Sequence, residues 1–146
     1  MAEAMGGGYF PVYPHDGALP DPELRTFFSN FYRTSDRPEA DELWVSLFTP
    51  DARVTIGADA GCGEDEIRAL RKRMWARVRR RQHTVSKVFP GRFDGGCEAM
   101  LMGEVRLTAR EDGAEAVLPW AAHAVLRWAE AARDWRIAEY RVWLQR

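Results

Sequence analysis

Residues 97–144 read CEAMLMGEVRLTAREDGAEAVLPWAAHAVLRWAEAARDWRIAEYRVWL. Three long alternating runs, at 97–108, 116–128 and 135–144, are rich in β-branched and aromatic residues and predict three strands. Glu111-Asp112-Gly113 between the first two is a hairpin signal. Residues 129–134 join the second to the third. Immediately upstream, His83 to Phe89 forms a fourth β-rich run that stops at Pro90-Gly91.

Ahead of this sheet the periodicity is helical. Asp21 is placed to cap a helix, Pro22 suits its first turn and Glu23 favours the positive end of the dipole. Leu24, Phe27, Phe28, Phe31 and Tyr32 follow as one stripe, and Asp36 closes the segment. A second helix from about Pro38 is expected to bury Leu43, Trp44, Leu47 and Phe48. Thr49-Pro50-Asp51 ends it, and residues 52–56 alternate as a short strand. Gly57, Gly61 and Gly63 suggest a loop. The third helix opens with Glu64, Asp65 and Glu66, buries Ile67, Leu70, Met74 and Val78, and ends in Arg77, Arg79, Arg80 and Arg81 at its negative end. Helices followed by an antiparallel sheet make an α+β domain over 21–146. Residues 1–20, with Gly6 to Gly8 and Pro11, Pro14 and Pro20, form an irregular arm. Tyr9, Phe10 and Tyr13 give that arm something to dock with, on the domain or on a second subunit.

The 146 residues hold 21 Lys and Arg against 22 Asp and Glu, 46% hydrophobic and 12% aromatic residues. This supplies one core, with roughly 70% of the unfolded surface buried on folding. A net charge of −1 argues against a nucleic-acid partner. No run of about 18 apolar residues predicts a membrane span. The first 20 residues lack a charged start and an apolar stretch, so a cytoplasmic protein is expected. Cys62 and Cys97 read as free thiols. The three histidines lack spaced carboxylate partners and no glycine-rich phosphate loop precedes a helix, so neither metal nor cofactor is expected.

The segment Leu43-Trp44-Val45-Ser46-Leu47-Phe48-Thr49-Pro50-Asp51-Ala52 and the ending Trp135-Arg136-Ile137-Ala138-Glu139-Tyr140 resemble SnoaL-like proteins of the nuclear-transport-factor-2-like superfamily. Arg81-Gln82-His83-Thr84-Val85 resembles the same region of fungal SnoaL-like members. The resemblance implies a cone of curved antiparallel sheet closed by three helices. It covers polyketide cyclases, dehydratases, isomerases and non-catalytic binding proteins, so it implies no single reaction. In its scytalone-dehydratase-like branch an aspartate ends the first helix and a histidine opens the strand after the third. Asp36 and His83 occupy those places. That branch's second histidine has no counterpart at 102–107, and Ile56 stands where it has a tyrosine.

Strand parity offers a separate view of the site. A tight turn at Asp112-Gly113 would pair Leu107 with Val117. Leu101, Val105, His123, Val125 and Tyr140 would then share an apolar face with polar tips, the composition of a small-molecule pocket. Met100, Met102, Trp120 and Trp128 would share the other face, expected to form a homodimer. Ile56, and Phe31 and Trp75 with Trp120 and Trp143, would line the pocket or fill the core. His83 is the candidate proton carrier. Asp36 would hold its tautomer or cap the second helix, Tyr140 would donate to a developing oxyanion or simply pack, and His123 is a second acid/base group or a core histidine. The expected function is cofactor-independent proton transfer on a hydrophobic polyketide- or terpenoid-type molecule, by an isomerase, cyclase or dehydratase. The other reading is a binding or adapter domain.

Overall fold

The structure is a computed structural model that describes residues 8–15, 21–94 and 96–145. The rest of the expected arm, 1–7 and 16–20, lies outside these. The element order is α1 (Glu23–Ser35), α2 (Asp41–Ser46), β1 (Phe48–Ile56), β2 (Asp59–Cys62), α3 (Glu64–Ala76), β3 (Val78–Phe93), β4 (Gly96–Ala109), β5 (Glu115–Ala129) and β6 (Asp134–Leu144). The strands form one curved, unclosed sheet in the order β2-β1-β6-β5-β4-β3. Its neighbours are antiparallel except β1 and β6, which run parallel.

The aromatic stripe of α1 is wholly buried against the inner face of the sheet. Asp21 secures the helix start by accepting from the Glu23 N–H at 2.9 Å, and ties it to β6 by accepting from the Trp135 indole at 2.7 Å. The second helix is shorter than expected and buries Trp44 and Val45, while Leu43 is exposed. Leu47 and Phe48 are buried as anticipated, but Phe48 already belongs to β1. The glycine loop at 57–63 is instead a hairpin, with Gly57 at φ +61° leading into β2. The third helix stops at Ala76. Arg79 to Arg81, expected on that helix, lie on β3, because pairing of Val78 with Ala109 and Arg80 with Thr108 extends the ladder and outweighs local helical preference. Pro90 is tolerated because β3 is an edge among the six strands.

The β4–β5 register corrects the expected faces. Arg110 to Gly113 form a four-residue loop closed by a 2.8 Å bond from the Ala109 N–H to the Ala114 carbonyl, with Gly113 at φ +71°. Leu107 therefore pairs with Ala116, one residue from the expected partner, and the slip exchanges the faces of β5. Leu101, Val105, Trp120 and Ala122 face the helices and are buried. Met100 pairs with His123 and Met102 with Ala121 on the outer face, where both methionines are exposed. Trp120 thus leaves the expected dimer face, and His123 and Val125 leave the expected pocket. Trp128 is exposed and packs edge-on against Trp135, its partner across the β5–β6 ladder.

Gly103 is required where β3 bulges between Val85 and Lys87. A Cβ there would lie 1.9 Å from the Thr84 carbonyl oxygen and 3.1 Å from the Trp120 ring. The absence of a side chain lets the Trp120 indole cover this point.

The described part of the arm docks on the domain. It runs parallel to β3, with bonds from Val85 N–H to Gly8 O, Val12 N–H to Ser86 O and Val88 N–H to Val12 O. Ser29 Oγ donates to the Tyr9 carbonyl, and the Arg25 and Arg33 guanidinium groups lie over Tyr13 and Tyr9. This covers the free edge of β3.

Candidate active site

Asp36 sits at the C-cap of α1 with its side chain 6% exposed. Its Oδ1 lies 2.6 Å from His83 Nδ1, and its Oδ2 accepts from the His83 backbone N–H at 2.7 Å and from the Tyr9 hydroxyl at 2.6 Å. A carboxylate only accepts, so Nδ1 carries the imidazole proton and Nε2 keeps the lone pair. Arg71 holds the loop around Asp36 in place. Its guanidinium is fully buried, donates to the carbonyls of Ser35 and Arg37, pairs with Asp41 at 2.9 Å, and lies over the rings of both Trp44 and Trp75. Burial pushes the Arg71 pKa down, against the pull of Asp41.

His83 packs against two aromatic rings, Tyr32 at 5.2 Å and Trp120 edge-on at 5.6 Å, which stack on each other. The Tyr32 and Tyr140 hydroxyls are 2.8 Å apart. Tyr140 lines the cavity and Tyr32 does not. A buried hydroxyl needs an acceptor, so Tyr32 donates to Tyr140 and the Tyr140 proton is left for the cavity. The Trp120 indole N–H has no hydrogen-bond partner among the described residues.

The cavity measures about 620 Å³. Its floor is His83, Tyr140, Trp120 and Val105; Ile56 and Val142 form a wall, and the exposed Gly57, Ala58, Arg73 and Arg77 mark its open end. Among the described residues no three His, Cys, Asp or Glu side chains converge as metal ligands.

No family model matches the chain, and no curated protein matches it by sequence. Solved structures match by shape. ActVI-ORFA from Streptomyces coelicolor superposes with a TM-score of 0.71 at 17% identity, over 84% of this chain and 95% of that one. Nuclear transport factor 2 from Cryptosporidium parvum gives 0.69 at 18%, over 86% and 97%. The hexachlorocyclohexane dehydrochlorinase LinA-type3 from Novosphingobium barchaimii gives 0.72 at 11%, over 84% of each. The chain has the nuclear-transport-factor-2-like fold.

Within this fold, the structure brings together His83, Asp36 and Tyr140, with Ile56 and Val105 lining the cavity. Several other expected pocket or catalytic residues lie elsewhere. Phe31 is behind the floor, edge-on to Tyr140. Trp75 is buried beneath Arg81 and Arg71, and Leu101 is in the core. His123 faces outward and bonds Glu98 at 2.8 Å, with Val125 beside it on the same strand face. Tyr9, Tyr32 and Arg71 were not anticipated at the site, whereas Trp120, expected both as a cavity or core aromatic and on the outer face, does line the cavity. Tyr32 had a legible signal, since it precedes Asp36 by one helical turn. Tyr9 had none, because its contact spans 27 residues of chain.

All four tyrosines of the chain are held protonated. Burial first, then the bond to Asp36, raises Tyr9; burial pushes Tyr13 up to about 12. Burial raises Tyr32, helped by Tyr140, and raises Tyr140 against the bond it accepts from Tyr32. A raised phenol pKa means that the folded state keeps protons the unfolded chain releases above about pH 10, so stability falls as pH rises past that point and is unaffected below it. Phenolate absorbance at 295 nm is therefore expected to stay flat to about pH 11 and then rise together with the loss of native circular dichroism. A stepwise rise near pH 10 with native dichroism intact would contradict these four placements.

Proposed function

We propose that this protein is a cofactor-independent enzyme that moves a proton on a hydrophobic polyketide- or terpenoid-type intermediate, as an isomerase, cyclase or lyase of secondary metabolism. The observation that carries this reading is His83, held by Asp36 behind it, at the floor of an apolar cavity that Tyr140 also lines. His83 Nε2 takes a proton from carbon next to a carbonyl. The C–H electron pair moves into the enolate, whose oxygen accepts from Tyr140. Asp36 stabilises the imidazolium. Return of the proton to another carbon isomerises the substrate; alternatively the enolate electrons expel a β-hydroxyl, which leaves as water with the His83 proton. The dehydrochlorinase among the structural neighbours bears the name of an elimination of the same kind. Under this proposal the protein is cytoplasmic and dimeric through the outer sheet face that carries Met100 and Met102. Among the described residues no helix is long and apolar enough to cross a membrane.

The test uses 2-tetralone, a bicyclic ketone with acidic C–H bonds, in deuterium oxide. Wild-type protein is expected to accelerate exchange of the protons beside the carbonyl, followed by proton NMR, and His83→Gln is expected to remove the acceleration. Exchange at the same rate in both proteins would sink the catalytic reading in favour of a binding domain.

A further inference from the structure

The open end of the cavity is cationic. Asp59 is the one carboxylate among the described residues lining it, and it is engaged by Arg73 through two bonds of 2.8 and 2.9 Å. Arg77 and Arg81 also line the cavity, and Arg77 has no ion pair among the described residues. Arg77 is not needed to offset the end of α3. The terminal carbonyls of that helix are already taken, Met74 O by Arg81 and Trp75 O by Arg110, so its partial negative charge is met. Arg81 is in addition held flat over Trp75 at 4.9 Å.

Arg81 and His83 are alternate residues of β3 that both line the cavity, about 6–7 Å apart along the strand. Arg77 stands further out, where α3 meets β3. An apolar floor with a proton carrier and a rim of planar guanidinium groups matches an amphiphilic acid. Resting on the proton-transfer reading above, we infer that the substrate is an organic anion: a hydrophobic ring body with a carboxylate held by Arg77 and Arg81, about one ring width from the carbon that meets His83.

The probes are 1-anilinonaphthalene-8-sulfonate and N-phenyl-1-naphthylamine, which share one ring skeleton and differ by the anionic group. Fluorescence titration of the wild-type protein is expected to show the anion binding about tenfold more tightly, with the preference shrinking as salt is added. Arg77→Gln is expected to lower that preference, and Arg77→Gln with Arg81→Gln to remove it. Arg106→Gln, on an exposed residue paired with Glu115 outside the cavity, should leave it unchanged. Equal binding of the two probes, a preference undiminished by Arg77→Gln, or one that persists in the double variant overturns the anion assignment while leaving the cavity reading in place. A preference that Arg106→Gln removes equally puts the anion elsewhere and overturns it too. If neither probe binds, both readings fall.

Discussion

Asp36→Asn is expected to slow proton transfer by roughly 10²–10⁴-fold, the full contribution of a positioned general base, with the fold retained. The reason lies in the arrangement around the carboxylate. The His83 backbone N–H is an obligate donor to Oδ2, and the Tyr9 hydroxyl meets the same oxygen. The single carbonyl oxygen of an asparagine therefore settles at the Oδ2 position. Its NH₂ then faces His83 Nδ1, which lies 2.6 Å from Oδ1 in the native pair. Two donors cannot face each other, so the imidazole proton moves to Nε2 and the base loses its lone pair towards the cavity. Deuterium exchange of 2-tetralone reads the rate, and two-bond ¹H–¹⁵N correlation spectra of the imidazole read the tautomer. An Asp36→Asn variant with the Nε2–H tautomer and undiminished exchange would separate the tautomer from the activity and defeat the assignment.

Arg71→Met is expected to destabilise the protein by about 3 kcal/mol. Methionine keeps the length and much of the packing between Trp44 and Trp75, but leaves the Ser35 and Arg37 carbonyls without their donor. Each buried acceptor left unpaired costs about 1–3 kcal/mol. Removing a buried cation also relieves its desolvation, which is why such groups are often replaceable when both partners change together. Here Asp41 could change, but the other two partners are backbone carbonyls and cannot. Urea unfolding measures the loss. Because Ser35 and Arg37 flank Asp36, the same variant should also weaken the Asp36–His83 contact, visible as a shift of the His83 ring resonances. Stability within about 0.5 kcal/mol of wild type, the range of an ordinary surface substitution, would show that Arg71 does not hold this loop.

Much of the architecture was legible because it follows from local periodicity. The burial of Leu24, Phe27, Phe28, Phe31 and Tyr32 follows from their spacing on α1, and the long strands from alternation over ten or more residues. The boundaries that failed did so where pairing overruled preference. Arg79 to Arg81 have ordinary helical propensity, yet β4 offers them a ladder. Asp36 and His83 were legible as candidates through their positions after α1 and α3, whereas Arg71 was not. Helical spacing sets Arg71 on the apolar stripe of α3, four residues after Ile67 and three before Met74, apart from the exposed Lys72 and Arg73, but spacing alone does not tell a buried guanidinium from one that snorkels to solvent.

The sequence by itself determined the class of fold, the helices that cover the sheet and the chemical types available for proton transfer, since all of these rest on residue type and short-range spacing. Tertiary structure alone decided which face of β5 meets the cavity. Alternation is symmetric to a slip of one residue, and only the closure of the loop between Ala109 and Ala114 breaks that symmetry. That one residue sends His123 and Val125 outward and Trp120 inward. Tertiary structure also decided that Tyr9 belongs to the site: a hydroxyl reaches Asp36 only because the arm adds to the free edge of β3, a contact between distant segments that no local pattern encodes.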